Sequence, residues 1–150
     1  MAAGNLEEIL DFAIAREQEA HDFYMDLAKK AERPGMGGLF QQFAREELGH
    51  KKKLEGIKKG TRYFTPSKQV VDLKIGDYLV DVDPSATLTY QNALILAMKK
   101  EKAAFQLYTD LAAETDDAEV KQIFESLAQE EAKHKLRFEV EYDDMILTEN

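Results

Sequence analysis

The feature that most constrains this chain is an internal duplication at a fixed offset of 84 residues, with no gap needed within either copy. Leu10, Ala13, Glu17, Ala20, Tyr24, Asp26, Leu27 and Ala28 recur as Leu94, Ala97, Glu101, Ala104, Tyr108, Asp110, Leu111 and Ala112. Farther along, Phe40, Ala44, Glu46, Glu47, His50 and Lys51 recur as Phe124, Ala128, Glu130, Glu131, His134 and Lys135. In the first helix, Leu6, Leu10, Ala13, Glu17, Ala20, Tyr24, Leu27 and Ala31 follow steps of four and three, the spacing that lines one face of an α-helix. Each copy reads as a helical hairpin, so the chain is two similar hairpins in series.

Punctuation residues set the expected boundaries. Asn5 is placed to cap the first helix, and Glu8 stands three residues on, where a capping-box acid belongs. That helix has to end before Pro34-Gly35, because an internal proline loses a hydrogen bond and clashes with the preceding turn. The second helix covers 38–59, with Phe40, Phe43, Leu54 and Ile57 inward and Gly60 as its stop. Residues 60–86 carry no periodic stripe and read as a crossover with one short helical turn near Asp72–Leu79; short strands are the alternative for its Val-rich pieces. The third helix runs from Thr87 to Ala113 along Leu94, Ala97, Ala104, Tyr108 and Leu111. The fourth follows a cap at Asp116, with Glu119 in the box position. It runs to about residue 145 along Phe124, Leu127, Phe138 and Val140, which leaves EVEYDDMILTEN as a solvated, fraying end.

A 25-residue helix is roughly 38 Å long, and a linker of about 25 residues reaches roughly 80 Å when extended. A pseudo-twofold along the bundle would start the third helix at the same end as the first and send the crossover the full bundle length. The expected fold is all-α: one domain over residues 1–150, a ferritin-like four-helix bundle with hairpins at 6–59 and 87–145 and one long crossover between the second and third helices.

Composition narrows the chemistry. With no cysteine, the chain can form no disulfide, iron–sulfur cluster, thiolate zinc site, rubredoxin-type iron centre or cysteine nucleophile. The net charge of -9 disfavours nucleic acid and anionic membranes as partners, and the Lys51–Lys53 and Lys58–Lys59 clusters read as solvated helix surface. No apolar run approaches the roughly 20 residues that span a bilayer. MAAGNLEEILDF lacks the basic-then-apolar order of a signal peptide, so the cytoplasm is the expected location. GMGG lacks the preceding strand and spacing of a phosphate loop.

Against that background, six residues stand out because they interrupt apolar stripes with ionisable groups. Glu17 and Glu101 lie on the inward stripes of the first and third helices. Glu47 with His50, and Glu131 with His134, occupy i and i+3 on the second and fourth, a spacing that points both side chains the same way. Four bare carboxylates in one bundle interior are prohibitive unless protonated or neutralised. Two divalent cations cancel their charge formally, and mixed oxygen and imidazole donors suit Fe, Mn or Zn. A glutamate from each of two helices and Glu-x-x-His from the other two is the layout of di-iron carboxylate bundles. Tyr24 and Tyr108, two turns beyond Glu17 and Glu101, are placed to hydrogen-bond a ligand carboxylate. His21 has Phe105 as its counterpart, and that asymmetry argues against a ligand role. Asp26 and Asp110 fall off the stripe and suit interhelical or crossover contacts.

The segments AREQEAHDFYMDLA, FQQFAREELGHKKKLE, MKKEKAAFQLYTDLA and FESLAQEEAKHKLRF resemble the four helices of the rubrerythrin family, over nearly the whole chain except the crossover. The resemblance implies a ferritin-like protein with two Fe ions that reduces hydrogen peroxide or dioxygen. It implies bridging roles for Glu47 and Glu131, terminal roles for Glu17 and Glu101, and one metal each for His50 and His134. It also implies a homodimer. Two features depart from the better-known members. Ala104 stands where they carry a further glutamate that helps an iron move during redox cycling, and these residues include no cysteine, so a rubredoxin domain is not expected here. Electrons would then come from a separate electron-transfer protein or a small reductant. The alternative expectation is a non-catalytic iron-binding or iron-handling protein.

Overall fold

The computed structural model describes residues 6–60, 75–80 and 89–149. Helix α1 spans Leu6–Lys30, and its expected cap Asn5 lies outside the described residues. The helix stops four residues short of Pro34, and the turn closes through Gly35, whose φ of 85° is readily adopted only without a Cβ. Helix α2 spans Met36–Gly60, beginning two residues earlier than expected. Within the crossover, Ile75–Tyr78 forms a short 3-10 turn inside the expected window. Leu79 and Val80 form no strand; Val70, Val71 and Val82 lie outside the described residues.

Helix α3 spans Tyr90–Glu114, with the Thr89 side chain accepting a hydrogen bond from the Asn92 amide at 3.1 Å. Helix α4 spans Ala118–Glu149. Its cap is Asp117 rather than Asp116, since Asp117 Oδ1 accepts from the Val120 amide at 3.0 Å. The expected fraying end is also corrected, because α4 stays helical through it and buries Glu141 to 2% exposure. The fourth stripe continues from Phe138 to Glu141, leaving Val140 at 38% exposure. Glu141 is held by two partners: Arg33 Nη1 donates at 2.7 Å and the Tyr90 hydroxyl at 2.8 Å. These contacts fasten the α1–α2 turn and the start of α3 to the end of α4.

Helix α1 packs mainly on α2, and α3 on α4, while α1 meets α3 and α2 meets α4 across the hairpins. The direction of these cross-pairs corrects the expected symmetry. Tyr24 donates to Glu101, and Tyr108 lies against Glu17, so partner numbers rise on α3 as they fall on α1. His50 with Glu130 and His134 with Glu46 show the same sense on α2 and α4. The pseudo-twofold therefore runs across the bundle, not along it, and α3 starts at the end where α1 finishes. This is why the chain leaving α2 must travel the bundle's length before α3 can begin; a twofold along the bundle would have started α3 where α2 finishes, and no such span would have been needed. The architecture is the ferritin-like four-helix bundle with its long crossover.

The apolar core is divided in two. One part gathers Leu10, Leu54, Leu111, Phe124 and Leu127 with Tyr78 of the crossover. The other gathers Tyr24, Phe40, Leu94 and Phe138 near the α1–α2 turn. Between them lies a buried polar layer.

Candidate metal centre

That layer is made by Glu17, Glu47, His50, Glu101, Glu131 and His134, none more than 3% exposed. The structure brings all six together in two overlapping clusters. Glu17, Glu47, His50 and Glu131 form one; Glu47, Glu101, Glu131 and His134 form the other. Within each, one ligand atom per residue lies within 4.8 Å of the rest. Only Glu47 and Glu131 belong to both, because they stand on facing helices at the level where the two hairpins meet.

The distances test whether ions fit. His50 Nδ1 lies 2.9 Å from Glu17 Oε2, 2.9 Å from Glu131 Oε1 and 3.7 Å from Glu47 Oε1. His134 Nδ1 lies 3.0 Å from Glu47 Oε1 and 3.7 Å from Glu101 Oε1. Ligand atoms about 2.0–2.2 Å from a shared ion stand about 3 Å from each other. Several of these converging atoms complete no hydrogen bond: Glu17 Oε2, both oxygens of Glu47, Glu101 Oε2, Glu131 Oε1 and Nδ1 of both histidines. Buried polar atoms are ordinarily satisfied. A set left unsatisfied and aimed at common centres fits two metal ions.

Electrostatics point the same way. Burial, then the neighbouring carboxylate charges, push Glu47 and Glu131 well above the ordinary carboxylate range, and burial raises Glu17. Burial alone would lower the His50 imidazole, but the close carboxylates of Glu131 and Glu17 outweigh it and hold His50 at about 10. His134 is raised in the same manner, with burial opposed by Glu101 and Glu46. The metal-free layer thus holds protons that cations would displace.

The tyrosines sit where the sequence places them. The Tyr24 hydroxyl donates to Glu101 Oε1 across the hairpins, and Tyr108 stands against Glu17 in the mirrored position. Burial and the surrounding carboxylates push both hydroxyls far above the ordinary tyrosine value, so both stay protonated donors. His21 is outside the layer, with Nδ1 2.9 Å from Asp22. Asp26 is exposed, whereas Asp110 accepts from the Tyr78 hydroxyl at 2.7 Å and ties the crossover to α3.

Sequence reasoning missed Glu46 and Glu130, whose side chains lie off the inward face of their own helices. Glu130 pairs with His50 Nε2, and Glu46 Oε2 lies 3.5 Å from His134 Nε2. Each reaches across to the other hairpin's histidine, leaving Nδ1 as the nitrogen that faces the carboxylates. The available signal was that both glutamates of each Glu-Glu-x-x-His string are duplicated. On the opposite face, between α1 and α3, a cavity of about 70 Å³ reaches the layer, lined among others by Arg16, Ala20, Tyr78, Lys100 and Ala104.

The sequence matches the rubrerythrin family over residues 8–142. The chain belongs to the rubrerythrin family. Two solved structures resemble this rubrerythrin-family bundle. A hypothetical protein from Pyrococcus furiosus is 28% identical, with a TM-score of 0.72 over 92% of this chain and 88% of that one. A protein from Thermotoga maritima described as a ferritin-like diiron-carboxylate protein is 19% identical, with a TM-score of 0.82 over 97% and 99%. No curated protein matches the sequence. Family, fold and the paired Glu/His clusters together make this a redox-active protein of the di-iron type. Among the described residues, no helix is long and apolar enough to cross a membrane.

Proposed function

We propose that this rubrerythrin-family protein reduces hydrogen peroxide or dioxygen at a pair of iron ions, drawing electrons from an external protein or small reductant. The observation that carries the proposal is the duplicated, unsatisfied, buried ligand set with a cavity between α1 and α3 that reaches it. Glu17 and His50 would hold one ion, Glu101 and His134 the other, and Glu47 and Glu131 would be shared. A ferrous pair held there supplies the two electrons that turn hydrogen peroxide and two protons into two waters.

The remaining work belongs to the chain. Four carboxylates would cancel the charge of a ferrous pair and offset most of the charge of a ferric one, anchoring it in a low-dielectric layer. Tyr24 and Tyr108, held protonated, orient the terminal carboxylates Glu101 and Glu17. Glu130 orients His50 through its Nε2, and Glu46 Oε2 stands 3.5 Å from His134 Nε2 without completing a hydrogen bond. At about 70 Å³ the cavity has room for an oxidant the size of hydrogen peroxide or dioxygen. We propose cytoplasmic placement and a homodimer.

Stopped-flow mixing of ferrous-loaded protein with peroxide tests the reading. Consumption far faster than by an equal concentration of free ferrous iron is expected, and an equal rate rejects it. A second reading, iron handling without fast turnover, draws on Ala104 standing where better-known relatives place a further carboxylate. Tight retention of two ions with slow turnover would favour it.

A further inference from the structure

The duplication extends to residues that ligate nothing. Arg16 and Lys100 are related by the 84-residue offset, and each immediately precedes a glutamate of the buried layer. Both line the cavity between α1 and α3, as do the related pair Ala20 and Ala104. Each cation rests on an aromatic ring: Arg16 lies 5.0 Å from the Phe12 centroid and Lys100 5.4 Å from the Phe23 centroid. The small alanines keep the passage open beneath them.

The charge around this opening is unbalanced. Glu19 pairs with Arg16 Nη2 at 2.8 Å, while Arg16 Nε is buried and makes no hydrogen bond. The second copy has no matching acid, since Ala103 stands where Glu19 stands in the first. Two divalent ions cancel the four glutamates of the layer formally. Arg16, Lys100 and Glu19 then leave the lining one positive charge in excess. In a chain of net charge -9 that is a local reversal of sign, and a positive, partly desolvated cleft concentrates anions.

We propose that the α1–α3 cavity is a port and holding site for a small monoanion of about three heavy atoms, drawn in by Arg16 and Lys100 and held over the metal pair. The inference rests on the two-metal reading of the buried layer. It assigns the port a charge preference that the size of the cavity alone would not give.

The test uses full-length protein loaded with zinc, so that redox turnover plays no part, and isothermal titration with formate and its neutral isostere formamide. Formate is expected to bind at least tenfold more tightly than formamide, and more weakly as chloride is raised. The double variant R16Q/K100Q should keep two zinc ions per chain, lose at least tenfold in formate affinity and leave formamide unchanged. Ala104→Leu, which fills the passage, should abolish binding of both. The proposal is overturned if R16Q/K100Q binds formate as tightly as the parent, if Ala104→Leu does so, or if a protein with two zinc ions binds no formate. Failure of the parent to take up two zinc ions would instead reject the metal reading beneath it.

Discussion

Replacing Glu47 with alanine separates a shared ligand from a terminal one. Glu47 belongs to both clusters and is fully buried, whereas Glu17 belongs to one. Glu47→Ala takes each four-residue cluster down to three; Glu17→Ala does this to only one. At a free metal concentration a hundredfold above Kd, each bound ion stabilises the fold by about 2.7 kcal/mol. One kcal/mol moves the Tm of a domain this size by about 2–4 °C, so losing one ion lowers it by roughly 5–11 °C. Without metal the two effects of truncation oppose each other. Two fully ionised carboxylates about 4.8 Å apart would repel by about 3 kcal/mol at an effective dielectric of 20, an upper bound that the protons held in the metal-free layer reduce, against the roughly 2–3 kcal/mol expected for the space left by truncation. Metal-free Glu47→Ala should therefore melt close to the metal-free parent, within a few degrees. The assay is elemental analysis of dialysed protein, with melting curves in metal and in chelator. Glu47→Ala should retain fewer than two ions, and Glu17→Ala at least one. If Glu47→Ala keeps both ions and the full metal-induced rise in Tm, or if Glu17→Ala loses both while Glu47→Ala loses one, the shared-ligand assignment is wrong.

Three further outcomes are expected. Glu17, Glu47 and Glu131 are raised above 4.5 and His50 from 6.5 to about 10, so the metal-free native state binds more protons than the unfolded chain across that range. Its Tm should fall as pH rises from about 5 to 9, while metal affinity tightens because binding releases those protons; a metal-free Tm that climbs with pH contradicts this. Glu130→Ala should weaken metal binding by about 10- to 100-fold through the freed His50 ring, measured by chelator competition, although Glu130 would not touch the ions. Tyr24→Phe removes the hydroxyl donor to Glu101, a charged hydrogen bond worth about 1.5–3 kcal/mol, and should weaken one of two sites by about tenfold or more in the same assay; unchanged affinity at both would show that the hydroxyl does not tune the ligand.

The sequence alone determined the helices and their inward faces. Apolar residues at steps of three and four specify a buried stripe whatever packs against it, and the duplication marks the carboxylates and histidines that interrupt those stripes. That sufficed to single out the six residues the bundle gathers, Tyr24 and Tyr108 beside them, and a crossover with one short turn. What depends on how one helix is rotated and directed against another was not legible, because periodicity says which face is buried and not what it meets. Whether the twofold runs along or across the bundle is set by the end at which α3 enters. That choice pairs Glu130 with His50 and Glu46 with His134 across the hairpins. The burial of Glu141 likewise needed tertiary structure, since an acid in the last turns of a helix reads as solvated until Arg33 and Tyr90 arrive from elsewhere in the chain. The opening between α1 and α3 is also a property of packing: the alanines are visible in the sequence, but the space over them exists only because the two helices face each other there.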